Sequence, residues 1–145
     1  MAYADFDYYS GIYMGTMDEE AYQRLSIRAS SYLDYITLGK VKNAADTDAV
    51  KMCCCALADD YAEIEAASVL AKKRMAEAVE NNGDLRSESV GSYSRTFAGG
   101  GESANAALSV KTEAQKQLLK TATVYLCNTG LLYRGGGRNC TLPTL

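Results

Sequence analysis

Between Asp46 and Gly83 a helix start signal, an unbroken helical spacing and a helix stop signal follow one another. Asp46 is placed to cap the free amides of a first turn, and Asp48 adds negative charge where the helix dipole favours it. Val50, Cys54, Leu57, Tyr61, Ile64, Ser68, Ala71 and Met75 then recur at alternating intervals of three and four, so they share one face. Asn81, Asn82 and Gly83 close the run, because Asn and Gly tolerate the left-handed conformation that ends a helix. At ~1.5 Å per residue such a helix is on the order of 50 Å long. A compact chain of 145 residues has a radius of gyration near ~15 Å, a sphere roughly 38 Å across. A straight helix overhangs such a body and exposes part of its apolar face unless it kinks or another chain covers it. The expectation is an elongated, self-associating subunit with Met75 toward the overhanging end.

Around this helix the chain reads as one mainly α bundle. Thr16-Met17-Asp18-Glu19 has the form of a capping box and predicts a helix start. Tyr22, Leu25, Ala29, Tyr32, Leu33 and Ile36 give that helix its apolar stripe, and it should stop near Thr37, ahead of Gly39. The short polar connector Lys40 to Ala45 makes it an antiparallel neighbour of the long helix. Upstream, Tyr3, Tyr8, Tyr9 and Tyr13 surround Phe6, with Gly11 and Gly15 interrupting any pattern, which predicts a short helical turn and a loop. Amphipathic rings of this kind pack over a core with the hydroxyl kept polar, or serve at an interface.

After Gly83 the period changes from helix to strand. Val90, Ser92, Ser94 and Thr96 alternate with Gly91, Tyr93, Arg95 and Phe97, so an extended segment or hairpin is expected within 85–101, broken by Gly99-Gly100-Gly101. One strand among helices needs a hairpin partner or a strand from another chain to satisfy its backbone. Val90, Gly91, Tyr93, Ser94 and Phe97 are therefore expected at a subunit interface, together with Met75. Helical spacing returns through Leu108, Lys111, Ala114, Leu118, Ala122, Tyr125 and Leu126, with a start anywhere from Ser103 to Thr112 and a close at Asn128 and Gly130. Residues 1–130 then form the helical domain. Residues 131–145 read as a C-terminal arm in which Leu131, Leu132, Tyr133 and Arg134 dock on a neighbour, or fold back as a cover on the last helix.

Composition narrows the chemistry. With no histidine, the chain lacks the commonest general base, the commonest metal ligand and the usual partner of a nucleophilic Ser or Cys. Cys53, Cys54 and Cys55 resemble a metal or redox site, but adjacent helical residues point about 100° apart and cannot converge on one ion. Asp59, Asp60, Glu63 and Glu65 suggest paired carboxylates, and a solvated face is the simpler reading. No enzyme, cofactor or metal is expected. A net charge of −3 argues against gripping nucleic acid through its phosphates. The odd number of cysteines and the lack of a basic-then-apolar opening favour folding in a reducing cell interior, and no run is long enough to span a bilayer.

Three stretches in order carry a resemblance. Phe6-Asp7-Tyr8-Tyr9 to Gly15 followed by Arg28-Ala29-Ser30 and Ile36-Thr37, then Ser87-Glu88-Ser89-Val90-Gly91-Ser92-Tyr93-Ser94, then Thr129-Gly130-Leu131-Leu132-Tyr133-Arg134-Gly135 together resemble the head-to-tail connector (adaptor, head completion) proteins of tailed bacteriophages. The resemblance implies a small helical structural virion protein that forms a ring, commonly a dodecamer, beneath the portal protein. The ring would join the filled head to the tail through a stopper or tail-completion protein, with genomic DNA passing its lumen without sequence-specific binding. It also implies assembly in the bacterial host cytoplasm, a place at the head-tail junction of the virion, and docking by Leu131, Leu132, Tyr133 and Arg134 on the portal or an adjoining ring. The rival reading is a small intracellular helical protein-binding module without catalytic activity.

Overall fold

In the computed structural model, residues 1–81 and 101–133 are described. The extended segment expected within 85–101 lies outside them apart from Gly101, as do Arg134 and the remainder of the C-terminal arm. Among the described residues the chain is helical, with no strand: α1 (Phe6–Gly11), α2 (Glu19–Thr37), a 3₁₀ turn (Lys40–Ala44), α3 (Asp48–Asn81) and α4 (Gly101–Leu126).

The N-terminal segment is the short helix and loop that its aromatic spacing implies. Asp5 caps α1 by accepting from the Tyr8 amide at 2.9 Å. Tyr9 is fully buried, with its ring centroid 4.2 Å from that of Tyr22 of α2 in a stacked pair. The residues before α1 lie along α2. The Tyr3 amide donates to Ser30 Oγ at 3.0 Å, the Tyr3 hydroxyl bonds Asp34, and the Tyr22 hydroxyl donates to the Ala4 carbonyl at 3.1 Å. The tyrosines thus pack over the core with their hydroxyls bonded.

The start of α2 differs from the capping-box expectation. Asp18, not Thr16, is the cap, and its side chain accepts from the Ala21 amide at 3.1 Å. The physical reason lies upstream: the Met17 amide donates to the Tyr9 hydroxyl at 3.2 Å, so the chain is held across the Tyr9 ring and turns helical only afterwards. The far end falls at Thr37 as expected. Leu38 and Gly39 both take left-handed backbone, with φ of 54° and 76°, and the Gly39 amide closes on the Asp34 carbonyl at 2.9 Å.

At 34 residues α3 is about 51 Å long, against about 28 Å for α2 and about 39 Å for α4. It begins two residues after the expected cap Asp46, with the Thr47 carbonyl receiving the Val50 and Lys51 amides. Both α2 and α4 pack on α3 while scarcely touching each other, so α3 is the middle layer. That arrangement explains why Cys53, Cys54, Cys55, Ala56, Leu57 and Ala58 are all buried although they spread around more than half the helix circumference. Small side chains at most of these positions let neighbours approach from both sides. Leu118, Ala122 and Leu126 seal the α4 side, and the expected α2 stripe of Tyr22, Leu25, Ala29, Leu33 and Ile36 seals the other. α4 is already helical at Gly101, the first residue described after position 81 and ahead of the Ser103 to Thr112 window; Gly99 and Gly100 lie outside the described residues. None of the helices among the described residues is long and apolar enough to cross a membrane.

Candidate assembly surfaces

The polar groups of the interior form a network whose chemistry is settled by burial. The Tyr9 hydroxyl donates to Asp59 Oδ1 at 2.6 Å, and burial followed by that bond raises its pKa to about 12. Burial likewise raises Tyr13, which lies beside the same carboxylate. Asp60 Oδ1 accepts from Gln117 Nε2 of α4 at 2.8 Å, while its Oδ2 is buried with no partner among the described residues. The expected solvated face therefore holds for Glu63 and is corrected for Asp59 and Asp60, which tie α3 to the N-terminal loop and to α4. Glu65 takes both nitrogens of Arg24, at 2.9 and 2.8 Å, and also pairs with Arg28, and these bonds hold its carboxyl below the usual glutamate range.

The three consecutive thiols point to different partners. Cys54 Sγ lies 3.5 Å from Ser30 Oγ and 3.7 Å from the Ser26 carbonyl, and Cys55 Sγ lies 3.5 Å from the Tyr22 hydroxyl. Burial pushes Cys53 up to about 12, Cys55 to about 11, and Cys54 upward as well. At neutral pH, with no metal bound, they are therefore thiols and weak nucleophiles. Among the described residues no group of three or more Cys, Asp or Glu side chains is placed to hold a metal ion.

Part of what the fold leaves outside on α3 is apolar. Along α3 the expected stripe is fully buried at Val50, Cys54 and Leu57, then only half-buried at Tyr61, Ile64, Ser68 and Ala71. Among the described residues the Glu65 ion pairs are the last hydrogen bonds or salt bridges between α2 and α3, and just beyond them Val69 is 66% exposed and Leu70 is exposed too. Met75, expected at a subunit contact, lies on this same distal stretch of α3, and its side chain is outside the described residues, as are Val90, Gly91, Tyr93, Ser94 and Phe97.

At the other end of the bundle, Leu131 and Leu132 are half-buried against the core. Tyr133 is exposed, and its carbonyl accepts from Lys40 Nζ at 2.6 Å. The first two of the four expected docking residues thus pack on the chain's own body, Tyr133 is exposed, and Arg134 lies outside the described residues.

Two further exposed stripes escaped the sequence reading. On α4, Leu119, Thr123 and Val124 line a shallow groove with Lys116, Lys120 and Cys127. On α2, Ile27 and Tyr35 are exposed on the face opposite the core. The signal that could have found them is apolar residues lying off the periodic stripe of each helix.

Comparison of the chain with protein-family models, with curated proteins and with solved structures finds no match.

Proposed function

We propose that this chain is a structural subunit of the ring that joins the portal of a tailed-bacteriophage head to its tail, with DNA passing through the lumen. The observation that carries the assembly part of this reading is the distal half of α3: a helix about 51 Å long, of which the stretch after Glu65 turns Val69 and Leu70 to solvent. In the assembly these exposed apolar side chains are covered by another chain. The resemblance carried by the stretches 6–37, 87–94 and 129–135 gives the kind of assembly. In the ring, Met75 and the segment bearing Val90, Gly91, Tyr93, Ser94 and Phe97 meet the neighbouring subunit. Exposed Tyr133, whose carbonyl is held by Lys40, and Arg134 after it in sequence contact the portal or the adjoining ring. Interior groups serve cohesion, since the thiols are neutral and the carboxylates are spent on Tyr9, Gln117 and the two arginines.

Electron microscopy of the purified protein, alone and mixed with filled heads carrying the portal, tests this. Rings in solution or a new annular layer at the portal vertex are the expected result. A protein that forms no ring and leaves the portal vertex bare is instead a helical binding module, and the connector reading falls.

A further inference from the structure

The shallow groove on the outside of α4 lies at the end of the helix where the chain departs. Leu119 is 50% exposed in it and Val124 66%, and Lys116, Lys120 and Thr123 complete its walls. Cys127, the one exposed cysteine among the described residues, closes the groove, and its Sγ donates to the Val124 carbonyl at 3.6 Å. From Cys127 to Tyr133 the chain covers at most about 22 Å. Two tight turns shorten that span, one closed by the Thr129 amide on the Leu126 carbonyl and one by the Tyr133 amide on the Gly130 carbonyl, both at 3.1 Å. From Tyr133 to Cys140 the sequence has a reach of up to about 25 Å. Gly135, Gly136 and Gly137 fall within it and allow the backbone to reverse direction. Cys140 is therefore within reach of Cys127 on its own tether. After it come Thr141, Leu142, Pro143, Thr144 and Leu145, side chains without charge, among them two leucines and a proline that favours extended backbone in the residue before it.

We propose that residues 140–145 fold back on this chain's own α4 and cover the groove of Leu119, Thr123 and Val124, running antiparallel to the helix from Cys127 toward Lys116. The register follows from the two rises. At ~1.5 Å per helical residue, Val124 lies about 5 Å, Leu119 about 12 Å and Lys116 about 17 Å from Cys127 along the axis. At ~3.3 Å per extended residue, Leu142 lies about 7 Å and Leu145 about 17 Å beyond Cys140. With Cys140 beside Cys127, Leu142 falls on Val124, and Leu145 falls on the turn between Leu119 and Lys116, whose methylene stem adds apolar surface. The tether argues for this occupant over a separate chain. A short one holds the segment at an effective concentration of about a millimolar, well above that of a dilute second molecule. The cover makes no use of Tyr133 and Arg134 and does not depend on the ring reading. It lies on an open groove outside the finished core, so proximity reads it better than melting.

The chain's own thiols supply the test. Cys53, Cys54 and Cys55 are buried, which leaves Cys127 and Cys140 for a mild diazene oxidant, diamide. Diamide takes up the two thiol hydrogens, becomes the hydrazine and leaves one Sγ–Sγ bond. The full chain is oxidised at low concentration, and the linked peptides and the non-reduced mass are followed in time. The expected product is a Cys127–Cys140 link within one chain. It should form at least ~10-fold faster than in a Leu142→Asp, Leu145→Asp variant, which keeps the same tether and the same thiols. Leu119→Asp with Val124→Asp, both at exposed positions, should slow the link as much. Equal rates in wild type and the tail variant show that the tether alone joins the thiols and overturn the cover. Slowing by the tail pair without slowing by a folded groove pair places the leucines elsewhere and also overturns it. A product linked mainly between two chains, or no Cys127–Cys140 link, does the same. If the groove pair unfolds by circular dichroism, single Val124→Asp and Leu119→Asp variants that stay folded take its place.

Discussion

Replacing Gly15 with alanine isolates the tightest packing in the N-terminal segment. A Cβ built on Gly15 would fall within 3.0 Å of three atoms of the Tyr9 ring, closer than real Cβ atoms come to anything. The ring has nowhere to go. It is fully buried, stacked on Tyr22 with centroids 4.2 Å apart and on Tyr13 at 5.5 Å, and pinned at its hydroxyl by Asp59 at 2.6 Å. Either the ring tilts and weakens the bond to the Asp59 carboxylate, or the loop lifts and breaks the Gly15 amide bond to the Tyr9 carbonyl at 2.9 Å. Overpacking of this kind costs about 1–3 kcal/mol. A disturbed hydrogen bond to a charged group adds about 1.5 kcal/mol or more. The sum, about 3 kcal/mol, corresponds to a fall in Tm of roughly 10 °C for a chain of this size. Gly11→Ala is the internal control, because nothing lies within 4 Å of its added Cβ and its φ is ordinary. It should be neutral or slightly stabilising. Urea and thermal unfolding of both variants, at a concentration where the chain does not associate, give the comparison. A Gly15→Ala protein within about 0.5 kcal/mol of Gly11→Ala would refute the packing argument, since that gap is the scatter of neutral surface changes.

Leu57→Asp, at a fully buried position, should cost several kcal/mol and abolish cooperative unfolding, whereas Val69→Asp should leave the monomer's melting unchanged and weaken its association. Equal loss of monomer stability in the two would contradict the division of α3 into an inner and an outer half. Alkaline pH should destabilise the fold. The unfolded chain releases protons from Cys53 and Cys55 near 9 and from Tyr9 near 10, while the folded chain holds them to about 12, 11 and 12, so stability is full below pH 9 and is lost as pH rises through that window. A urea midpoint unchanged between about pH 8 and pH 11 would contradict this. Truncation after Tyr133 should leave Tm unchanged, while truncation after Gly130 removes Leu131, Leu132 and the Lys40 clamp and should cost roughly 2 kcal/mol. If both truncations melt like the full chain, Leu131 and Leu132 contribute nothing to the body and are free to dock elsewhere.

Helix identity was legible in the sequence because it is written in short-range spacing. The stripes of α2 and α4, the left-handed stop after Thr37 and the close near Gly130 all follow from positions three and four apart. Helix starts were less legible. Thr16 has the capping-box residues in the right order, yet the cap moved to Asp18 because a tertiary bond, Met17 amide to Tyr9 hydroxyl, had already committed the preceding chain. The interior acids misled for a similar reason. Asp59 and Asp60 read as solvated because they are charged, and only the fold shows that Tyr9 and Gln117 approach them from elements about fifty residues away in sequence. In each case the deciding partner lies on another element, and periodicity carries no information about it.

That limit bears most on α3. The stripe from Val50 to Ala71 has one uniform period, but its first part is buried by this chain's own α2 and α4 and its later part is only half covered. Period reports that a face will be buried and says nothing about whose atoms will bury it. The distinction comes from length: among the described residues the hydrogen bonds and salt bridges between α2 and α3 end at Glu65, while α3 runs sixteen residues further, about 24 Å. Lys72, Lys73, Arg74 and Glu77 give that stretch a polar exposed side, but Val69 and Leu70 are exposed as well, and apolar area left in water favours association by about 25 cal/mol per Å² once covered. Val69 and Leu70 lie off that stripe, about 100° and 200° round the helix from it, so they are exposed apolar positions that the stripe does not account for. A variant blocked at Val69 should therefore lose association to the same extent at low and at high salt, since the contact it removes is apolar and not screened.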